Sequence, residues 1–338
     1  MKLTLKFIAV FISIYFTSCT PDDPTPLDIT ENVYVAGYED NGTFRVAKYW
    51  KNGTAVNLTD GTKHAKATSV FLQGNDVYVC GQETINFKSV AKYWKNGVAV
   101  TLSNGTTDCN ASSIYVSGND VYVVGQERNP SPKAVLWKNG IQVALSNPIS
   151  SATEIKVISN DVYICGQEVI GNIGVAKYWK NGVSFNTTGS VNVNSAGSLS
   201  VFNNDVYLCG REIVGTNYVP KYWKNGTPTT LSTTSTRCEA SEILVENNTI
   251  HIVGYEESAA TGNYIARYWK NGIGVNLADG SKDTEASGIF LKENNVYICG
   301  QEYSLTTGNA IAKYWKNGVE TNLTDGTKNA YAFEIRVQ

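Results

Sequence analysis

The residues whose type and spacing could do chemistry in this chain are carboxylates. Glu154, Glu242 and Glu334 stand at matching places in three similar segments, and Glu239 and Glu285 lie just upstream of two such places. Two carboxyl groups about 5–10 Å apart across an open cleft would be the layout of glycosidase acid–base chemistry. Carboxylates gathered near one axis would equally suit a cation or a polyhydroxylated ligand. Other chemistries lack their residues. His64 and His251 lie in unlike contexts and make neither a metal cluster nor a triad, and no Cys-x-x-Cys spacing, Gly-x-Ser-x-Gly, phosphate loop or dinucleotide fingerprint is visible. With 28 Lys and Arg against 30 Asp and Glu, the chain lacks the basic face of a nucleic-acid binder.

What must position these carboxylates is a repeat. Trp-Lys-Asn-Gly begins at Trp50 and returns at Trp94, Trp137, Trp179, Trp223, Trp269 and Trp315, at intervals of 42 to 46 residues, and these are all seven tryptophans. A fixed period of that length means one supersecondary unit repeated. Asn-Gly between apolar runs marks a tight hairpin, because both residues tolerate positive φ. In the second unit, residues 67–72 read as strand a, 77–80 as strand b, 90–94 as strand c and 98–102 as strand d. Four short strands per unit make one propeller blade.

Counting the strands predicts how the ring closes. Strands b, c and d occur seven times from Val33 onward, but the seventh strand a, residues 332–337, is the last segment of the chain. The first blade therefore takes its inner strand from the C-terminus. The expected fold is all-β, a seven-bladed propeller of four-stranded blades over residues 31–338. Closure removes the free edges on which sheets aggregate.

Several recurring residues read as framework. Each Trp buries roughly 150–250 Å², or about 4–6 kcal/mol gross at about 25 cal/mol per Å², and seven copies fit packing between blades better than a sugar platform. A Glu follows every strand b (Glu39, Glu83, Glu127, Glu168, Glu212, Glu256, Glu302), and a cation precedes Tyr-Trp in six units (Lys48, Lys92, Lys177, Lys221, Arg267, Lys313), with Val135 in the third. Ion pairs that stitch strands or blades are expected there. Cys80, Cys165, Cys209 and Cys299 share a position with Ala36, Val124 and Val253, a small buried slot suited to free thiols.

The variable parts point to one face. The a–b and c–d turns share one end of the blades and are nearly uniform. The b–c loops at the other, upper end vary freely, at 41–45, 86–89, 129–133, 171–174, 215–219, 259–264 and 304–309. Variation on a rigid scaffold is where binding concentrates. The residues leading into strand a, Lys66, Asn110, Ser151, Ser195, Glu239, Glu285 and Tyr331, should ring the upper mouth of the channel. Glu154, Glu242 and Glu334 lie further in, where Ser69, Ser113, Ser198 and Gly288 stand in other blades. Candidate ligand-binding residues are thus Lys66, Asn110, Glu154, Glu239, Glu242, Glu285, Tyr331 and Glu334. No cofactor is required by this reading, although Ca²⁺ in the channel is compatible with the acidic set.

The repeat over residues 31–338 resembles seven-bladed propellers of the kelch type in its closure and in Val-Tyr-Val-x-Gly ending strand b. It has Gly-Gln-Glu where kelch repeats have Gly-Gly, and its Trp stands beside Tyr, so it reads as a lipoprotein propeller with a kelch-like layout.

The N-terminus reads as targeting sequence. Lys2 and Lys6 precede an apolar run at 7–16 that is too short to span a bilayer. Phe16-Thr17-Ser18-Cys19 resembles a bacterial lipobox, which implies a signal peptide over 1–18 and lipidation of Cys19. Residues 19–30, rich in Pro and Asp, form a tether, and their acidic run resembles the surface-export signal of Bacteroidota-type lipoproteins. The combined expectation is a monomeric binding scaffold, anchored through Cys19 to the bacterial outer membrane and exported to the cell surface, that engages an envelope protein or glycan. A carbohydrate-active enzyme, glycosidase or lyase, using the channel-mouth carboxylates is the alternative.

Overall fold

The computed structural model describes residues 31–145, 149–187, 193–233 and 237–338. The signal segment, Cys19 and the tether lie outside the described residues. Asn32–Gln338 forms one compact unit, and among the described residues it contains strands and no helix.

Seven antiparallel sheets of four strands follow one another in chain order. The second blade is typical: Ala65–Gln73 is strand a, Asp76–Ile85 strand b, Lys88–Lys95 strand c and Val98–Thr101 strand d. The first blade takes strand a from the other end of the chain. Ala330–Val337 pairs with Val33–Asp40, placing Tyr34 opposite Arg336 and Val35 opposite Ile335. Neighbouring a strands pack on one another around the complete circuit, so strand a lines the axis.

Local chemistry explains the hairpins. Asn52 and Gly53 both take positive φ, 50° and 80°, as do their equivalents in every blade. That is the backbone of a type I′ turn, whose twist matches the flanking strands. The Lys and Asn of this motif also tie the two lower turns together. In the second blade, Asn96 Oδ1 accepts from Val77 N at 2.9 Å, and Asn96 Nδ2 donates to Asp76 Oδ1 at 2.7 Å. Lys95 Nζ lies 2.8 Å from Asp76 Oδ2 and 5.1 Å from the Tyr78 ring. The same arrangement recurs at Asp120 with Lys138, at Asp161 with Lys180 and at Asp205 with Lys224. The a–b turn residues are therefore structural ion-pair partners as well as turn formers.

Each Trp is 0–1% exposed and packs into the blade before it. Trp94 of the second blade sits with Tyr34, Ala36 and Ala47 of the first. Trp137 sits with Tyr78, Cys80 and Ala91 of the second. Trp50 closes the circuit against Tyr297, Cys299 and Ala312 of the seventh. The Cys/Ala/Val slot is thus the space that receives the next indole. All six described cysteines are free and buried, and burial pushes the thiols of Cys80 and Cys165 up to about 12, away from reactivity.

The recurring Glu and cation pair across strands b and c. Lys48 meets Glu39 at 2.6 Å, Arg267 meets Glu256 at 2.9 Å and Lys313 meets Glu302 at 2.8 Å. Lys92–Glu83, Lys177–Glu168 and Lys221–Glu212 pair likewise. In the third blade, where Val135 replaces the cation, Glu127 accepts from Thr107 Oγ1 at 3.0 Å and from Gln142 Nε2 at 2.8 Å. The stitching therefore runs between strands within a blade.

If the indoles hold the blades together, Trp179→Ala should cost about 3–5 kcal/mol, the usual loss for truncating a buried aromatic. Urea unfolding at equilibrium measures it, and a loss below about 1 kcal/mol would contradict the packing role.

Candidate functional site: the channel and its mouth

The channel is built from the start of strand a, where a bulge interrupts the ladder. In the second blade the register shifts between Ala67 and Ser69. The glycine that ends the Val-Tyr-Val-x-Gly run makes this possible: a Cβ on Gly81 would collide with the backbone carbonyl of Lys66. The bulge turns the next side chains toward the axis.

The upper ring forms in one register. Lys66 pairs with Gln82, Asn110 with Gln126, Ser151 with Gln167, Glu239 with Tyr255, Glu285 with Gln301 and Tyr331 with Tyr38. Ser195 pairs with Arg211 at the same level. On the side of the fifth to first blades the ring is aromatic and acidic. Tyr331 stacks on Tyr38 at 5.0 Å, and its hydroxyl is 3.3 Å from that of Tyr303. Glu239 Oε2 is 2.6 Å from Arg211 Nη1, and Glu285 Oε2 accepts from Gln301 Nε2 at 2.6 Å. Burial raises the Glu285 carboxyl above the usual range and pushes the Tyr38 phenol up to about 12. On the opposite side the ring is amide-rich. Asn110 lines a hollow of ≈ 360 Å³ with Gln82, Gln126, Asp108 and Arg128. The Oδ1 of Asn110 and the Oε1 of Gln82 are buried there without a hydrogen-bond partner among the described residues. Burial and the nearby Arg45 hold the Lys66 ammonium below its ordinary value.

One level deeper, Glu154, Glu242 and Glu334 converge. One oxygen from each lies within 4.8 Å of the others, and all three residues are buried. Two cations that sequence reasoning missed come with them. Lys156 pairs with Glu154 and Arg336 with Glu334, while Arg336 Nη1 is 3.9 Å from Glu242 Oε1. The remaining oxygens accept from the neighbouring blade's backbone: Leu199 N to Glu154 at 2.7 Å, Ile289 N to Glu242 at 2.6 Å and Val70 N to Glu334 at 3.0 Å. Ser198 Oγ adds a bond to Glu154 at 2.6 Å. These carboxylates bridge adjacent inner strands.

A calcium ion, which takes six to eight oxygens, does not fit this donor set. The oxygens of the three carboxylates are already engaged by an ammonium, a guanidinium and backbone amides. The structure thus brings together Glu154, Glu242 and Glu334 in one layer, and Lys66, Asn110, Glu239, Glu285 and Tyr331 in another. It adds the residue between Gly and Glu of strand b, where Tyr38, Gln82, Gln126, Arg211, Tyr255 and Gln301 form a second ring. That position is the variable one inside an otherwise fixed Gly-x-Glu, which was the available signal. The two histidines are apart: His64 Nδ1 accepts from Arg45 N at 3.2 Å, and His251 Nδ1 lies 2.6 Å from Tyr268 Oη.

This geometry defines a seven-bladed β-propeller closed by its own C-terminal strand, with a polar channel mouth. No protein-family model matches the sequence, and comparison with curated proteins gives no match. Solved structures share the fold. The chain is similar to the acylaminoacyl peptidase of Pyrococcus horikoshii, with a TM-score of 0.54 and 13% identity over 88% of this chain and 51% of that one. It is also similar to the β-propeller domain of the Trilobed protease from Pyrococcus furiosus, with a TM-score of 0.54 and 13% identity over 88% of this chain and 93% of that one. That domain is described as having an open velcro topology, whereas here Ala330–Val337 pairs with Val33–Asp40. The chain spans about half the length of the peptidase it matches.

Burial pushes the Glu242 carboxyl up to about 8, against the pull of Arg336 and with Glu154 and Glu334 adding to the rise. Its ordinary value is 4.5, so the folded state holds this proton more tightly than the unfolded chain. The stability this group contributes is full below 4.5 and is lost as pH rises toward 8. Melting of the wild-type protein should therefore fall between pH 5 and pH 8.5 more than that of Glu242→Gln. A gap between the two proteins that stays constant with pH would contradict the assignment.

Proposed function

We propose that this chain is a non-enzymatic binding scaffold of the bacterial envelope, held at the outer membrane by lipid on Cys19. It engages a glycan or protein of the envelope through the b–c and d–a loop face. The observation that carries this reading is the engagement of the candidate carboxylates. Glu154, Glu334 and Glu239 are each tied to a cation, Glu285 to Gln301, and Glu242 to the Ile289 amide with Arg336 3.9 Å away. A glycosidase needs one carboxyl group able to give a proton and a second able to attack or activate water. The three carboxylates bound to Lys or Arg serve a framework better, and the other two are held by an amide side chain and a backbone amide.

The arc of Tyr38, Tyr303, Tyr331 and Tyr255 beside Glu239 and Glu285 supports a polyhydroxylated ligand. Aromatic faces suit the apolar faces of sugars, and buried amide and carboxylate oxygens accept hydroxyl protons. Surface delivery through Cys19 would place this face among such ligands.

A glycan array probed with the full chain, beside a pull-down from envelope extracts, tests the proposal. Binding should drop at least about tenfold, or about 1.4 kcal/mol, in Tyr331→Ala and in Glu239→Gln. Cys19→Ala should release the protein from the membrane fraction without changing ligand affinity. Cleavage of the bound glycan would overturn the non-enzymatic reading, and retention of nothing above a control propeller would overturn the binding reading.

A further inference from the structure

The larger cavity of the channel lies on the far side of the carboxylate layer from the mouth. Its volume is ≈ 460 Å³, inside the range of roughly 300–1,000 Å³ typical of small-molecule sites. It is bordered by Gly74 and Gln338, at the a–b turn end of the blades. Phe71, Tyr115, Leu244 and Phe290 give it apolar walls. Each stands two residues beyond the carboxylate level of its own strand. The Phe71 and Tyr115 rings are 4.5 Å apart.

The cavity's floor is charged. Lys156, Arg336 and Glu242 reach it, while Glu154, Glu242 and Glu334 all line the smaller hollow on the mouth side. The five groups form one set of buried carboxylates and half-buried cations, and above about pH 8, where Glu242 loses its proton, three carboxylates against two cations leave one negative charge in surplus. The pairing within the set is uneven. Lys156 is bound to Glu154, and Arg336 to Glu334. Arg336 also lies over the Phe290 ring at 5.6 Å. Glu242 accepts from Ile289 N at 2.6 Å, and the cation nearest to it is Arg336, at the longer distance of 3.9 Å. It is only 7% exposed, and among the three carboxylates it alone lines the apolar cavity. The surplus charge therefore falls on the carboxylate that faces the aromatic-walled cavity.

We propose that this cavity binds a small organic ammonium compound with a ring-bearing apolar body, its cationic head against Glu242 and its body between Phe71, Tyr115 and Phe290. An ammonium head neutralises the buried set, and the aromatic walls favour a cation at their faces. An organic anion would add a second unpaired negative charge to a low-dielectric site, which is costly. A neutral ligand of the same shape would gain the walls and not the charge. The upper-face reading plays no part in this inference.

Isothermal titration tests it with three probes of one shape: 2-phenylethylammonium, 2-phenylethanol and phenylacetate. The protein is the full chain carrying Cys19→Ala, at pH 8.5, above the value of about 8 to which burial raises Glu242. The ammonium should bind at least about tenfold tighter than the alcohol, and phenylacetate should bind weakest. Glu242→Gln should bring the ammonium down to the alcohol's affinity. Leu244→Trp, which fills the cavity, should abolish binding of both. Thermal melting confirms that each variant is folded. Tyr331→Ala, at the other end of the channel, should leave all three affinities unchanged. An ammonium that binds no better than the alcohol, phenylacetate as the tightest probe, or no binding by any of the three to the unsubstituted site would overturn the proposal.

Discussion

The insertion of an indole into the preceding blade is the interaction on which everything else depends. The Trp at the end of strand c needs a recess, and strand b of the previous blade supplies one by carrying Ala, Cys or Val at a single position. Seven such insertions make a circuit, because Trp50 enters the seventh blade as the others enter their neighbours. The circuit closes only when Ala330–Val337 completes the first sheet. The hydrophobic contribution is non-directional, and the direction comes from the Asn-Gly turn that aims each Trp.

Charge is layered on this frame with a division of labour. The outer pairs, Glu with Lys or Arg across strands b and c, repeat with the blade and fix strand to strand. The lower turns repeat a second pairing, Asp with Lys. Only near the axis does the repetition stop. There Glu154, Glu242 and Glu334 occupy three of seven equivalent places, and Lys156 and Arg336 two of the places beyond. Departures from a repeat carry function more readily than the repeat itself, since packing explains the constant positions and leaves the irregular ones unexplained. The mouth and the lower cavity are both made of such departures.

Much of this was legible in the chain. The period of Trp-Lys-Asn-Gly gave the blade, and the orphan strand at the C-terminus gave the closure. The alternation of Glu and cation gave the stitching, including its gap at Val135. The channel was only half legible. Equivalent positions on a ring are known to point inward together, which brought Glu154, Glu242 and Glu334 together on paper. Their partners were not predicted, because Lys156 and Arg336 stand two residues along strands that look like ordinary alternating sequence. The lower cavity was hidden for the same reason. Phe71, Tyr115 and Phe290 look like core residues of a strand, and only the taper of seven strands around an axis leaves space between them. The upper ring of Gln, Arg and Tyr lies inside Gly-x-Glu, where only the middle residue varies from blade to blade.

The protein is a ring whose blades are stable together and not singly, unlike an open array that can lose one unit at a time. Hydrogen exchange on a chain ending at Asn329 examines this most directly, since it removes the one strand that joins the two ends. The account predicts that amide protection collapses in all seven blades, including the fourth, which lies far from the cut. Native-level protection in the second to sixth blades, with loss confined to the first and seventh, would contradict it.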